Sequence, residues 1–467
     1  MQEFGLIGLG VMGKSLSRNL AAKGFHLSLY NRYLPALEED IATKFIADFP
    51  ELATAEGYQE IAPFAASLHT PRKIFLMVPA GNAVDEMIDF LLPHLSPNDV
   101  LIDGGNSFYK DTDRRCKALQ DKGIFYVGTG VSGGEEGALK GPSIMAGGSS
   151  AGYAAVKNYL EKIAAKDTEK GTCCAFIGNG GAGHFVKMVH NGIEYAEMQL
   201  LAELYSILRF AGKYTPDEIA ALFTTQPATD NSSYLLEITV AILQKKEGEN
   251  WLIDIITDKA GNKGTGGWAT VAAIELGVPI PTLTAALFAR YQSEFLTERI
   301  VAATLWQTDS IPSFININEL FAAYQLARIV NHHQGFHLVE AASEKYEWNI
   351  DMPELARIWT NGCIIRSTLM ESLRTILKDN KRILQSPAIA NTAYKDVATL
   401  ANIVAIATAH KIAIPCLAST VHYLLTYTME QSSANIIQAQ RDFFGAHTYQ
   451  RKDDLTGKKY HTNWTND

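Results

Sequence analysis

The stretch that most constrains this chain is Gly8-Leu9-Gly10-Val11-Met12-Gly13, a complete G-x-G-x-x-G. Its surroundings give it weight. Phe4 to Ile7 reads as a short buried strand, Lys14 to Lys23 has helical character and stops at Gly24, and His26 to Tyr30 reads as a second strand. Strand, glycine turn, helix and strand within about 30 residues is how a doubly wound parallel sheet begins. The first glycine allows a tight turn, the second lets backbone approach a pyrophosphate, and the third permits close helix–strand packing. The helix N-terminus favours the phosphate charge. Gly8, Leu9, Gly10, Val11, Met12 and Gly13 are therefore expected to hold a dinucleotide.

The end of the second strand bears on which dinucleotide. An NAD site usually carries Asp or Glu there to bond the ribose 2′-hydroxyl. This chain has Asn31-Arg32-Tyr33. An arginine fork can pair with a 2′-phosphate, so NADP is favoured over NAD.

Three further buried strands are expected: Lys73 to Val78, Val100 to Asp103, and Phe125 to Val127. An apolar helix is expected from Ala83 to Leu92. The last two strands open into Gly104-Gly105-Asn106-Ser107 and Gly128-Thr129-Gly130-Val131-Ser132-Gly133-Gly134. Ligands of doubly wound sheets bind beyond the carboxyl ends of the strands. Asn106, Ser132, Gly133 and Gly134 are thus candidate contacts for coenzyme or substrate. Gly178 to Gly183 repeats the glycine spacing, but no second strand follows at the right distance. It reads as a junction that starts a helix.

That helix carries the chemistry. Lys187, His190, Asn191, Glu194 and Tyr195 fall at i, i+3, i+4, i+7 and i+8, one stripe of an otherwise apolar segment. A polar stripe is usually a solvated face dominated by Glu, Lys and Gln. Here it is chemically mixed: an amine, an imidazole, an amide, a carboxyl and a phenol. Those groups suit proton transfer on a polyhydroxy substrate.

From about residue 184 strand signals thin out. Helices are expected at 196–211, 216–223, 234–244, 269–275, 282–305, 317–342 and 352–379, giving a large all-helical region. Pro216 to Phe223 faintly echoes Met352 to Trp359, and Lys187 to Asn191 echoes Arg328 to Asn331. A loop rich in glycine and lysine, Asp258 to Trp268, suits an anion. Arg441 to His447 precedes a polar tail that would be disordered unless held; the Phe443-Phe444 pair suggests docking.

A net charge of −9 argues against a general nucleic-acid binder. No run of about 18 apolar residues escapes a charge or proline, so no membrane span is expected. No basic leader precedes Phe4. The five cysteines, Cys116, Cys173, Cys174, Cys363 and Cys416, lack zinc or redox spacing. Reduced thiols in a cytoplasmic protein and no metal centre are expected.

Together, Gly8–Gly13, Asn31-Arg32, Asp103–Ser107, Gly130–Gly134, Lys187–Tyr195, Ala260–Trp268 and Arg441–His447 resemble the decarboxylating 6-phosphogluconate dehydrogenases. These belong to the β-hydroxyacid dehydrogenase superfamily. The match runs in order over essentially the whole chain. It implies a Rossmann-like α/β coenzyme domain over residues 1–178, an all-helical substrate and dimerisation domain over 179–435, and a tail over 436–467 that reaches the partner subunit. It also implies oxidative decarboxylation of 6-phosphogluconate to ribulose 5-phosphate with NADP, in the pentose phosphate pathway and gluconate utilization.

By position, Lys187 would be the base and Glu194 the acid that protonates C1. Asn106, Ser132, Gly133, Gly134, His190 and Asn191 would hold the carboxylate and hydroxyl end. Tyr195, Lys263, Arg290, Arg441 and His447 would hold the phosphate, the last two given across a homodimer with shared active sites. Asn31, Arg32, Tyr33, Val78, Pro79, Ala80 and Asn106 would line the coenzyme with the glycine motif. Tyr33 stands where the family often has Ser or Thr, and Pro79 where many relatives have Lys. Both leave NAD as a weaker or alternative coenzyme. The rivals are a dehydrogenase of a small unphosphorylated hydroxy acid and a non-catalytic NADP-binding protein.

Overall fold

The computed structural model describes residues 1–226, 230–261, 264–306 and 316–465. It divides into two compact units, Met1–Thr420 and Val421–Asp467.

The first unit opens with an eight-stranded sheet. Its strands are β1 (Phe4–Ile7), β2 (Leu27–Tyr30), β3 (Glu56–Tyr58), β4 (Lys73–Leu76), β5 (Val100–Asp103), β6 (Phe125–Ser132), β7 (Ser143–Gly148) and β8 (Cys174–Gly178). The spatial order is β3-β2-β1-β4-β5-β6-β7-β8. Every neighbouring pair is parallel except β6–β7. The first six strands follow the dinucleotide-binding order, with its switch point between β1 and β4. Alternate residues feed two cores. Phe4, Leu6, Phe75, Val100 and Ile102 face one side. Ile7, Ile74, Leu76 and Leu101 face the other. Helices therefore cover both faces, as expected from apolar strands with no polar alternation.

β6 differs from the expectation. It does not end at Val127 but runs on through the glycines to Ser132, paired antiparallel with β7 from Val127↔Gly148 to Ser132↔Ser143. Glycine normally weakens a strand; here it marks a close approach by another element.

That element is the Ala182–Ser206 helix, which begins after β8 and the Gly178–Gly183 junction. It packs against the Ile317–Lys345 helix, and both are buried around most of their circumference. The faint echo between their sequences ends in different uses. Arg328 and Asn331 turn inward, where both bond the buried Glu197 carboxylate at 2.8 and 3.3 Å.

Two expected helices are each broken. The 282–305 segment forms Pro281–Glu294 and Leu296–Trp306. Arg299 Nη2 donates to the Ser293 carbonyl at 3.1 Å, an acceptor a continuous helix would use itself. The 352–379 segment forms Met352–Ile358 and Thr368–Asp379. Gly362, at φ +71°, turns the chain between them so that its carbonyl accepts from Ser143 N on β7 at 2.9 Å.

The second unit is organised by one carboxylate. Asp442, in the Ala434–Gly445 helix, accepts from Thr448 N, His461 Nδ1, Thr462 N and Trp464 Nε1 at 2.9–3.0 Å. Burial opposes its charge, but those donors outweigh burial and hold the carboxyl down to about 2. This is what orders the polar tail. Phe443 and Phe444 are both exposed within the unit.

Candidate functional site

The glycine turn after β1 is built to admit a ligand. A Cβ on Gly8 would lie 2.4 Å from the Met77 carbonyl oxygen, and one on Gly13 only 2.0 Å from that of Gly8. Neither position accepts a side chain. Gly10 differs: a Cβ there would meet nothing within 4 Å. It is the N-cap of the Val11–Ala22 helix, and no side chain caps it. A bare helix N-terminus above open space, at the switch point, fits a dinucleotide pyrophosphate.

At the end of β2, Asn31 Oδ1 accepts from Leu9 N at 3.1 Å, which ties this strand end to the glycine turn. Arg32 is exposed and pairs with Glu38 at 3.0 Å. Tyr33 is exposed beside it. Val78, Pro79 and Ala80 follow β4, and a Cβ on Gly105 would lie 3.0 Å from the Val78 carbonyl oxygen. The β4 and β5 loops therefore touch. Arg115 binds them from below: Nη2 donates to Gly81 O at 3.0 Å, and Nη1 lies 3.7 Å from Asp103. Asp103 accepts from Gly105 N, Ser107 Oγ and Tyr126 Oη at 3.0, 2.6 and 2.8 Å. This buried network shapes the loop that exposes Asn106.

The long helix lies directly on β6. A Cβ on Gly130 would be 2.4 Å from the Cβ of Lys187 and 3.1 Å from Gly183 O. Lys187 is buried, as are His190, Asn191 and Tyr195. The stripe is therefore no solvated face. Ser132 Oγ meets His190 Nε2 at 3.2 Å, and His190 Nδ1 lies 3.8 Å from Glu194 Oε2. Burial pushes the His190 imidazole well below its usual range, so it is neutral. Gly133 and Gly134, both at positive φ, follow Ser132. One helical turn along, the Arg290 guanidinium stacks 3.7 Å over the Tyr195 ring and donates to Gly261 O at 3.3 Å.

Ser132, Lys187, His190, Asn191, Glu194, Tyr195 and Arg290 thus stand along one helix and its immediate neighbours. Lys263 lies outside the described residues. Arg441 and His447 belong to the second unit, where both are exposed and Arg441 Nη1 donates to Gln438 Oε1 at 3.1 Å. His184 escaped the sequence reasoning. It sits one turn before Lys187 on the same stripe, bridging Thr112 Oγ1 at 2.7 Å and Asp103 O at 3.1 Å. Extending the stripe by three residues would have found it. Among the described residues, no three or more His, Cys, Asp or Glu gather as a metal site, and no helix is long and apolar enough to cross a membrane. All five cysteines are free.

Known proteins resemble the chain over nearly its whole length. Residues 3–178 match the family described as the NAD binding domain of 6-phosphogluconate dehydrogenase, and 183–464 match its C-terminal domain. A Bacillus subtilis protein named NADP(+)-dependent, decarboxylating 6-phosphogluconate dehydrogenase is 43% identical, covering 99% of both chains. The decarboxylating enzyme of Escherichia coli is 42% identical, again over 99% of each. The Plasmodium falciparum 6-phosphogluconate dehydrogenase, solved apo and in complexes with NADP+ and with 6-phosphogluconate, superposes with a TM-score of 0.93. It is 38% identical and covers 99% of this chain and 100% of its own.

Proposed function

This chain belongs to the 6-phosphogluconate dehydrogenase family, and we infer from that membership and its site that it oxidatively decarboxylates 6-phosphogluconate to ribulose 5-phosphate and CO2 with NADP. The observation that carries the reading is the stripe of buried Lys187, His190, Asn191 and Tyr195 with half-buried Glu194, seated on β6 of the coenzyme-binding sheet.

Bound at Gly8–Gly13 and Arg32, NADP supplies the hydride acceptor. In this proposal Lys187 is a neutral amine when it takes the proton of the substrate 3-hydroxyl, as hydride leaves C3. As an ammonium it then hydrogen-bonds the 3-keto oxygen and stabilises the enediolate left when CO2 departs. Glu194, two turns on, delivers a proton to C1. A β-keto acid has its own electron sink: the electron pair of the breaking carbon–carbon bond passes to the 3-keto oxygen that Lys187 bonds. The neutral His190 and Ser132, with Asn106, Asn191 and the Gly133-Gly134 backbone, hold the carboxylate and hydroxyls. Tyr195 and Arg290 hold the phosphate, together with Lys263.

We further propose the division at residue 178 into coenzyme and substrate domains, with a tail from residue 436. We also propose a homodimer in which Arg441 and His447 complete the partner's phosphate site. Exposed Phe288, Ile300, Val301, Leu305 and Trp306 on consecutive helices support such cover. Five free thiols suit the reducing cytoplasm.

The test is to mix protein, 6-phosphogluconate and each nicotinamide separately while following absorbance and CO2. Reduced coenzyme and CO2 in equal amounts, faster with NADP, are expected. Turnover only of a small unphosphorylated acid, or tight NADPH binding with no turnover, would contradict the reading.

A further inference from the structure

The 2′ end of the coenzyme site holds an acid that the strand-end pattern hides. Glu38 is six residues past Arg32, on a tight loop closed by a backbone bridge with Leu34. Its carboxylate receives Arg32 Nη2 at 3.0 Å and Nε at 3.3 Å. It also receives Asn31 Nδ2 at 2.8 Å. Asn31 in turn accepts from Leu9 N in the glycine turn. The hydrogen bond from Arg32 holds the Glu38 carboxyl below its ordinary range, so it is an anion at neutral pH. A second acid, Glu86 of the Asn82–Leu91 helix, also acts on Arg32.

This arrangement has a cost for a phosphorylated ribose. A phosphate monoester brings a charge of about −1.5 to −2. It would meet a guanidinium whose single positive charge is already balanced by Glu38. The same carboxylate is the acceptor type that NAD sites offer to a ribose 2′-hydroxyl. Here it reaches the strand end from the following loop, which is why the sequence pattern shows Asn31-Arg32 and no acid.

We propose that Glu38 is a coenzyme-specificity residue, whose carboxylate opposes a 2′-phosphate on Arg32 and serves an unphosphorylated ribose. It therefore narrows the preference of this enzyme for NADP over NAD. The proposal rests on Arg32 as the 2′-phosphate ligand, and the experiment separates the two.

Full-length wild type, Glu38→Gln and Arg32→Ala are titrated calorimetrically with adenosine 2′,5′-bisphosphate and with 5′-AMP. These two probes differ only in the 2′-phosphate. Steady-state NADP and NAD kinetics accompany the titrations. Glutamine keeps the shape and one oxygen for Arg32 while removing the charge. Glu38→Gln is expected to tighten the bisphosphate about tenfold, the effect of one charge removed at partly solvated range. AMP binding should stay level or weaken, so the ratio of the two dissociation constants moves toward the bisphosphate. An unchanged ratio, or one that moves toward AMP, overturns the proposal and makes Glu38 only a support for Arg32. If Arg32→Ala weakens the bisphosphate while Glu38→Gln leaves the ratio alone, the Glu38 proposal alone fails. If Arg32→Ala also leaves bisphosphate affinity at the wild-type value, the reading of Arg32 falls, and the Glu38 proposal with it.

Discussion

Gly130→Ala tests how Lys187, the proposed base, is held. The added Cβ would sit 2.4 Å from the Cβ of Lys187. Carbon atoms pack at about 3.5–4.0 Å, so the two must separate by about 1 Å or more. The obstacle is no flexible chain end, because a Cβ moves only with its backbone. The backbone cannot easily yield, since one turn earlier a Cβ on Gly183 would already lie 2.5 Å from both Gly128 O and Met145 O. Helix and sheet are in contact there with no side chain between them. The helix must therefore lift or turn at Lys187, a displacement that in an active site costs about 100-fold in rate. Overpacking also lowers stability by about 1–3 kcal/mol. The assay is kcat with 6-phosphogluconate and NADP, beside an NADP titration and a melting curve. The expected result is kcat down about 100-fold, a lower melting temperature, and NADP binding near wild type because the Gly8–Gly13 turn is untouched. Wild-type kcat in a folded Gly130→Ala protein would refute the claim that this contact sets the position of Lys187.

Gly10→Ala should behave in the opposite way: a Cβ there meets nothing within 4 Å, so the fold keeps its stability. The methyl would occupy the space proposed for the pyrophosphate, so NADP should bind at least about tenfold more weakly by titration; unchanged affinity would remove the pyrophosphate from that site. The second outcome concerns acid. Burial, helped by His337 and Arg382, pushes the His333 imidazole down to about 3 from 6.5. A depressed imidazole contributes stability that is complete above about pH 6.5 and is lost as pH falls toward 3, at about 1.4 kcal/mol per unit. Between pH 7 and pH 5 the wild type should lose about 2 kcal/mol more than His333→Leu in chemical unfolding; parallel losses in the two proteins would show that His333 is protonated without penalty.

Much of this architecture was legible because its signals are local. The first βαβ unit is written in six residues, and the chemical stripe repeats at helical spacing from Lys187 to Tyr195. What escaped depends on distant partners. Gly128 to Ser132 reads as a turn because glycine is a poor strand former, and only the helix lying across it explains those glycines. The same holds for β7, whose Ser143–Gly148 run ends in two glycines. Glu38 was hidden because a loop, not the strand end, delivers it. The break at Gly362 was invisible because a docking contact with β7 accompanies it, and the one at Phe295 because a local side-chain bond, from Arg299 back to Ser293 O, stands where helical spacing alone reads on. Tail order was unreadable because Asp442 gathers donors from as far as Trp464. The Arg328–Asn331 echo shows the converse: similar spacing, put to structural use inside a core.

In the proposed mechanism the Lys187 amine takes the substrate proton. The most direct measurement is the rate of NADPH and CO2 formation by Lys187→Ala, beside an NADP titration of the same preparation. Unchanged NADP binding and turnover lower by about 1,000-fold or more, the scale of a lost general base, are expected. Turnover at the wild-type rate would contradict it.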